Sequence, residues 1–300
     1  MKIIPEPKKD FDFAILGLGY ESRSTYSHLQ NKFNCDTVAL GYDQQTEENV
    51  YKKNKKYFRD EGVKVIEGGH QDISNYIENL TEKFKAPTNI ILDISVMSRQ
   101  RLSSIMIKLI RNLPKDSSLT ISYSISSYIP APTESSPIKE IGPVSSELSG
   151  VIGGLEKPVS IIIGLGYEKN KALGIYNYFD TKSNLVFTLI PKSQEHQFES
   201  DVKKNNNILL SNIPQKNQHY YDTANPYNTY LDLKALYQTL KEISRPILIP
   251  LGPKILTAIN VVIGLQFSPN IPVWRVSSNH TEKPIDRAAR GEEIKFTIQL

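Results

Sequence analysis

The chain has 300 residues, 36 of them Lys or Arg and 32 Asp or Glu, for a net charge of +4 with 39% hydrophobic content. That length accommodates one large domain or two of about 150 residues, and the composition is globular rather than fibrous or disordered. The near balance of charge gives no sustained basic surface, so nucleic-acid binding is not indicated, and the lone Cys35 excludes an internal disulfide or a cysteine-based metal centre.

The N-terminal stretch, residues 1–13, carries no long apolar run followed by a cleavage site, and no segment reaches membrane-spanning length. The expectation is a cytoplasmic protein with no membrane contact. Short β-branched apolar runs then alternate with longer amphipathic segments, the pattern of strand–helix–strand units and a parallel sheet. Strands are expected at 11–16, 37–40, 63–66, 89–93 and 119–124. Lys52, Lys53, Lys55 and Lys56, interleaved with Glu47, Glu48, Asp60 and Glu61, read as the solvated face of a helix between two of them. In the second half strands are expected at 159–163, 185–190, 207–210, 246–250 and 273–276, with Trp274 in the core.

Strand centres follow Gly17 at about 21, 47, 74 and 104 residues, and Gly164 at about 23, 44, 84 and 110. Recurrence in fixed order is the mark of an internal repeat. The expected fold is therefore α/β, tandem duplicated Rossmann-like units with mainly parallel sheets. The first unit spans residues 1–128, a Pro/Ser/Gly-rich connecting segment 129–157, and the second unit 158–300 with a loop insertion near 212–230.

Ligands of open parallel sheets sit outside the carboxyl ends of the strands, and three kinds of segment meet at that edge. The first is Gly17-Leu18-Gly19-Tyr20-Glu21-Ser22-Arg23-Ser24, repeated in part as Gly164-Leu165-Gly166-Tyr167-Glu168. Paired glycines permit a sharp turn and close approach of a ligand, the following helix start attracts anions, and Arg23 can fork onto a phosphate. The third glycine of the dinucleotide fingerprint is missing from both copies, so no cofactor is named. The second segment is Asp93-Ile94-Ser95-Val96-Met97-Ser98-Arg99, which places a carboxylate, a hydroxyl and a guanidinium at a strand end. The third, Pro250-Leu251-Gly252-Pro253-Lys254, offers Gly252 for close approach and Lys254 for a phosphate.

The five histidines, His28, His70, His196, His219 and His280, show no metal spacing, and only His70 and the pair Glu195/His196 share the functional edge. Tyr123, Tyr128, Tyr220, Tyr221, Tyr227 and Tyr230 lie in segments around it, where rings can stack on bases.

The pattern Asp93-x-Ser95-x-x-x-Arg99 resembles the strand-end motif of CRISPR-associated Rossmann-fold (CARF) sensor domains, and the duplicated arrangement is similar to SAVED domains, which are two fused units of that kind. The resemblance implies a pocket for cyclic oligonucleotide signals lined by Gly17, Gly19, Asp93, Ser95 and Arg99. It departs in two respects: the second copy lacks the motif, and no effector segment is attached.

The resulting expectation is a nucleotide or cyclic-oligonucleotide binding protein in bacterial antiviral defence or signalling, able to meet other defence-system proteins. Its phosphates would meet Gly17, Gly19, Gly164, Gly166, Arg99 and Lys254, with Tyr20 and Tyr167 beside them. An alternative is an enzyme of the NAD-hydrolase or deoxyribosyltransferase kind, cleaving a glycosidic or phosphodiester bond with Glu21 or Glu168 as catalytic carboxylate. A third is a scaffold subunit.

Overall fold

The structure, a computed structural model, describes residues 1–44, 46–48, 50–132, 137–151, 156–193, 195–277 and 284–300; His280 lies outside them. In chain order the elements are β1 (Lys2–Ile4), β2 (Phe13–Gly17), α1 (Tyr26–Asn31), β3 (Asp36–Gly41), α2 (Tyr51–Asp60), β4 (Lys64–Glu67), α3 (His70–Thr81), β5 (Asn89–Asp93), α4 (Arg99–Asn112) and β6 (Ser118–Ser126). Then come β7 (Glu140–Pro143), β8 (Val159–Gly164), α5 (Lys171–Phe179), β9 (Val186–Lys192), α6 (His196–Asn205), α7 (Asn207–Asn212), β10 (Gln218–Asp222) and α8 (Pro226–Leu240). The last are β11 (Arg245–Pro250), α9 (Lys254–Gln266), β12 (Trp274–Ser277) and β13 (Ala289–Gln299).

The chain divides into two units, residues 1–127 with 284–300, and residues 128–283. Among the described residues the first unit holds a seven-stranded sheet in the order β1-β13-β6-β5-β2-β3-β4. β2 to β6 run parallel, while β13 is antiparallel to both β6 and β1. Strands β2 and β5, Phe-Ala-Ile-Leu-Gly and Asn-Ile-Ile-Leu-Asp, are apolar with hardly any alternation, as a parallel sheet covered on both faces requires. Strand order reverses between them, which opens the crevice at their carboxyl ends.

The second unit holds a four-stranded parallel sheet in the order β10-β9-β8-β11, and Val273, just before β12, bridges β11 in parallel. β12 also pairs with β7 in a two-stranded antiparallel sheet. Ile161, Ile163, Leu165, Ile175, Ile190 and Ile249 form the centre of this unit's core.

Several sequence expectations change. Residues 284–300 do not close the second unit: β13 crosses back to the first, pairing Phe296 with Ile121 and Ile298 with Leu119. Its alternation Ile294-x-Phe296-x-Ile298 marks a strand with one buried face, but pairing across about 175 residues leaves no local trace. Residues 207–210 are helical, since an apolar run of only three, Ile208–Leu210, suits a short helix as well as a strand. The missing strand is β10, Gln-His-Tyr-Tyr-Asp, inside the expected loop insertion; as an edge strand it buries only Tyr221 and so lacks an apolar signature. The segment expected as a connector, 129–157, belongs to the second unit and supplies β7. No helix among the described residues is long and apolar enough to cross a membrane.

Candidate functional site

The carboxyl edge of the first unit is built on the β2 turn. Leu18 N–H donates to Leu40 of β3 at 2.9 Å, and Gly19 N–H donates to Ser24 Oγ at 3.1 Å. The Ser24 hydroxyl in turn donates to the Gly17 carbonyl at 2.9 Å. From α2, the Asn54 side-chain amide donates to Gly19 O and Glu21 O, both at 2.9 Å. The glycines are required by packing: a Cβ on Gly17 would lie 2.8 Å from Val96 Cγ2, and one on Gly19 would lie 2.9 Å from Val96 Cβ. The loop after β5 therefore covers the turn, where a phosphate was expected.

Glu21 and Arg23 are also interior, 5% and 3% exposed. Arg23 Nε donates to Glu21 Oε2 at 2.8 Å and NH1 donates to the Ser124 carbonyl at 2.8 Å, with Tyr123 at 5.5 Å from the guanidinium. Burial works against the charge on Arg23, but Glu21 and Tyr123 outweigh it and hold the guanidinium protonated. Arg287 NH1 stands 3.9 Å from Glu21 Oε1, and Asp286 accepts from both the amide and the hydroxyl of Ser22 at 2.6 Å. The fork expected to hold a phosphate is spent on the fold.

Asp93 and Ser95 are fully buried. Asp93 Oδ1 accepts from the Ser95 amide at 2.9 Å and from the Ser95 hydroxyl, whose oxygen accepts from the Ser124 amide at 2.7 Å. This turn ties the end of β5 to β6. Burial pushes the Asp93 carboxyl up to about 6, with the Ser95 hydrogen bonds pulling the other way.

What faces the rim is different. Tyr20 and Arg99 are half-buried, and Asp43, His70 and Ser98 are exposed. Beneath them Arg101 is buried: NH1 donates to Gly41 O at 2.6 Å, NH2 to Gly68 O at 2.7 Å, and the guanidinium lies 3.6 Å from the centre of the Tyr42 ring. Tyr42 Oη accepts from the Ser98 amide at 2.7 Å. One guanidinium thus fixes the ends of β3 and β4 and, through Tyr42, the start of α4. Arg99 was the expected cation of this segment; Arg101, two residues on and facing the core, is the one the fold uses.

The second unit repeats part of this scaffolding. Leu165 N–H donates to Leu189 of β9 at 2.9 Å, and the Asn206 side-chain amide donates to Gly166 O at 2.8 Å. Gly164 O accepts instead from the amides of Leu251 and Gly252 at 2.8 and 3.1 Å. A Cβ on Gly252 would meet Leu165 O at 2.6 Å, and one on Gly166 would meet Leu251 O at 2.9 Å, so these glycines too are packing requirements. Tyr167, Glu168 and Lys254 are half-buried. Tyr221 and Tyr230 are core residues, whereas Tyr220 is exposed with Lys192 and Lys203 over its ring.

Sequence reasoning missed Asn54, Asn206, Arg101 and Asp43. For Asn54 a signal exists: it shares the buried face of α2 with Tyr51 and Phe58, a polar residue in an apolar phase. A concavity of about 570 Å³ opens at the opposite edge of the sheet, lined by Phe13, Phe33, Tyr76 and Phe84 with Lys64 and Lys83. It lies at the amino ends of the strands, among edge-to-face rings such as Phe13–Phe84 at 5.7 Å, and away from the switch point.

No protein-family model and no curated protein matches this chain. Among solved structures it is similar to an rRNA methylase from Streptococcus thermophilus, at 16% identity and TM-score 0.23, covering 38% of this chain and 63% of that one. It is similar also to an S-adenosylmethionine-dependent methyltransferase from Clostridium acetobutylicum, at 14% identity and TM-score 0.22, covering 38% and 43%. A third is the cytoplasmic domain of a prokaryotic cation chloride cotransporter, at 12% identity and TM-score 0.27, covering 90% and 97%. The chain thus spans less than two thirds of either methyltransferase. A cyclic-oligonucleotide sensor or a NAD hydrolase was expected; the solved structures to which the chain is similar are instead two methyltransferases and a cotransporter domain. Glu21, Arg23, Asp93 and Ser95, expected to face a ligand, lie in the interior.

Proposed function

We propose that the first unit binds an adenosine-type ligand lacking a pyrophosphate at the carboxyl edge of its sheet, with Asp43 accepting the ribose hydroxyls. The observation that carries this reading is the exposed Asp43 carboxylate just past β3, about 24 residues beyond Gly19. In open α/β sheets an acid near that spacing, beside the switch point, is the ribose acceptor. Phosphate recognition needs free turn amides, and here Leu18 N–H and Gly19 N–H are already bonded while Val96 packs over both glycines. A nucleoside without phosphates makes no such demand. Arg101 supports the reading by holding Tyr42, and so the adjoining Asp43, in one position.

S-adenosylmethionine, on which the Clostridium acetobutylicum neighbour depends, is an adenosine without phosphates and is the natural probe. Calorimetric titration with S-adenosylmethionine, adenosine, ATP and NAD tests the proposal. The first two are expected to bind and the phosphorylated pair to bind more weakly, with Asp43→Ala lowering affinity by about tenfold or more, roughly 1.4 kcal/mol. Absence of binding by S-adenosylmethionine and adenosine, or an Asp43→Ala variant of unchanged affinity, overturns it.

A further inference from the structure

Behind the rim, one face of β5, β6 and β13 carries a buried polar patch that the proposed ligand site does not use. The register pairs Asp93 with Ser122, Ser122 with Lys295, and Ser124 with Glu293. Side chains of directly paired residues share a face of the sheet, and residues two apart on one strand do as well. All five therefore project to the same side, the side on which Asn31 of α1 reaches Glu293 and Lys295 at 3.0 and 2.7 Å. Farther along the same face, Thr120 and Thr297 bond to one another at 2.7 Å.

Four oxygens in this patch have no hydrogen-bond partner: Asp93 Oδ2, Ser122 Oγ, Ser124 Oγ and Glu293 Oε1. Asp93, Ser122 and Ser124 have no solvent exposure at all. An orphaned buried polar group costs about 1–3 kcal/mol, and native interiors hold few of them. Four from neighbouring positions on adjacent strands point to a shared occupant. Paired residues on adjacent strands lie about 5 Å apart, so oxygens reaching inward from Asp93, Ser122, Ser124 and Glu293 can converge on one small ion.

We infer that these four oxygens form a binding site for a dehydrated monovalent alkali cation. The donor set is entirely hard oxygen, which excludes a preference for transition metals, and no group of three or more His, Cys, Asp or Glu able to hold a metal occurs among the described residues. Charge decides between monovalent and divalent. Within the patch, Lys295 Nζ sits 2.9 Å from Glu293 Oε2 and cancels one carboxylate, while nearby Glu21 lies between the Arg23 and Arg287 guanidiniums and so adds no net negative charge. One negative charge remains. Magnesium is further disfavoured because it keeps several waters, whereas Asp93, Ser122 and Ser124 are closed off from solvent.

The site is tested on the full chain by thermal unfolding and by hydrogen exchange of the β6 amides, in sodium, potassium and choline chloride at one ionic strength. A saturable rise in the unfolding midpoint of about 2–5 °C is expected with sodium or potassium over choline, with slower exchange along β6. Ser122→Ala is expected to lose the alkali response, read against that variant's own midpoint in choline. A second variant, Ser124→Ala, is expected to behave likewise. Equal midpoints in all three salts overturn the inference, leaving a patch filled by water. So does an alkali response that survives in both variants, and a response confined to magnesium or calcium overturns the monovalent assignment.

Discussion

The two Gly-Leu-Gly-Tyr-Glu turns have one sequence and two solutions. In both, the leucine amide bonds to the neighbouring strand and an asparagine from the helical segment that follows that strand clamps the second glycine's carbonyl. They diverge at the first glycine's carbonyl. In the first unit Ser24, from the start of the following helical segment, closes it; in the second, the Leu251 and Gly252 amides of the fourth-strand loop do so. They diverge again at the glutamate, which is an interior ion-pair partner in the first unit and a half-buried side chain in the second. A repeated motif therefore reports a shared backbone turn, and the role of its last residue depends on its partners, for Glu21 the nearby Arg23 and the sequence-distant Arg287.

Replacing the glutamate is the strongest way to break the comparison. Glu21→Gln strands the buried Arg23 and is expected to cost about 3–5 kcal/mol, whereas Glu168→Gln should stay within about 0.5 kcal/mol. Denaturant unfolding with hydrogen exchange resolved for each unit measures both, and equal costs would erase the distinction.

Glycine replacements come next. Gly252→Ala drives a methyl into the Leu165 carbonyl, a backbone atom that cannot step aside, and is expected to cost about 2–3 kcal/mol with no side-chain rescue. Gly17→Ala meets only the tip of Val96, so Val96→Ala in the same chain should recover most of the loss. A double variant no better than Gly17→Ala would mean that the turn cannot accept a Cβ for some other reason.

The asparagine clamps sharpen the likeness. Asn54→Ala and Asn206→Ala remove the side-chain donor from the Gly19 and Gly166 carbonyls respectively and are expected to cost about 1–3 kcal/mol apiece, each within its own unit. Loss confined to one variant would show that only one turn relies on its clamp.

The last contrast is a pH dependence, which acts within the first unit alone. Asp93 has its carboxyl pushed from the ordinary value of 3.8 up to about 6 in the fold. Between those values the folded chain binds the proton that the unfolded chain has released, so the Asp93 contribution is full below about 3.8 and is lost as pH rises through about 6. The loss is on the order of 3 kcal/mol at most. Asp93→Asn, which cannot titrate, should flatten that slope in choline buffer; an unchanged slope would place the titration elsewhere.

The sequence by itself determined the parallel strands and their glycine turns, because apolar runs such as residues 89–93 and a Gly-x-Gly break are local in origin. It also carried the mark of Asn54, a polar residue in the apolar phase of its helix. It could not say whether Arg23, Asp93 and Ser95 face a ligand or the interior, since each strand-end polar residue is compatible with both until Val96, Ser124 and Arg287 take their places. Nor could it seat β13 in the first sheet or find β10 at the edge of the second, since long-range pairing is decided by backbone hydrogen bonds that any sequence can make. The tertiary structure turned the expected phosphate grip into framework and moved the candidate site to Asp43, because burial belongs to a residue's neighbours in space and not to its neighbours in the chain.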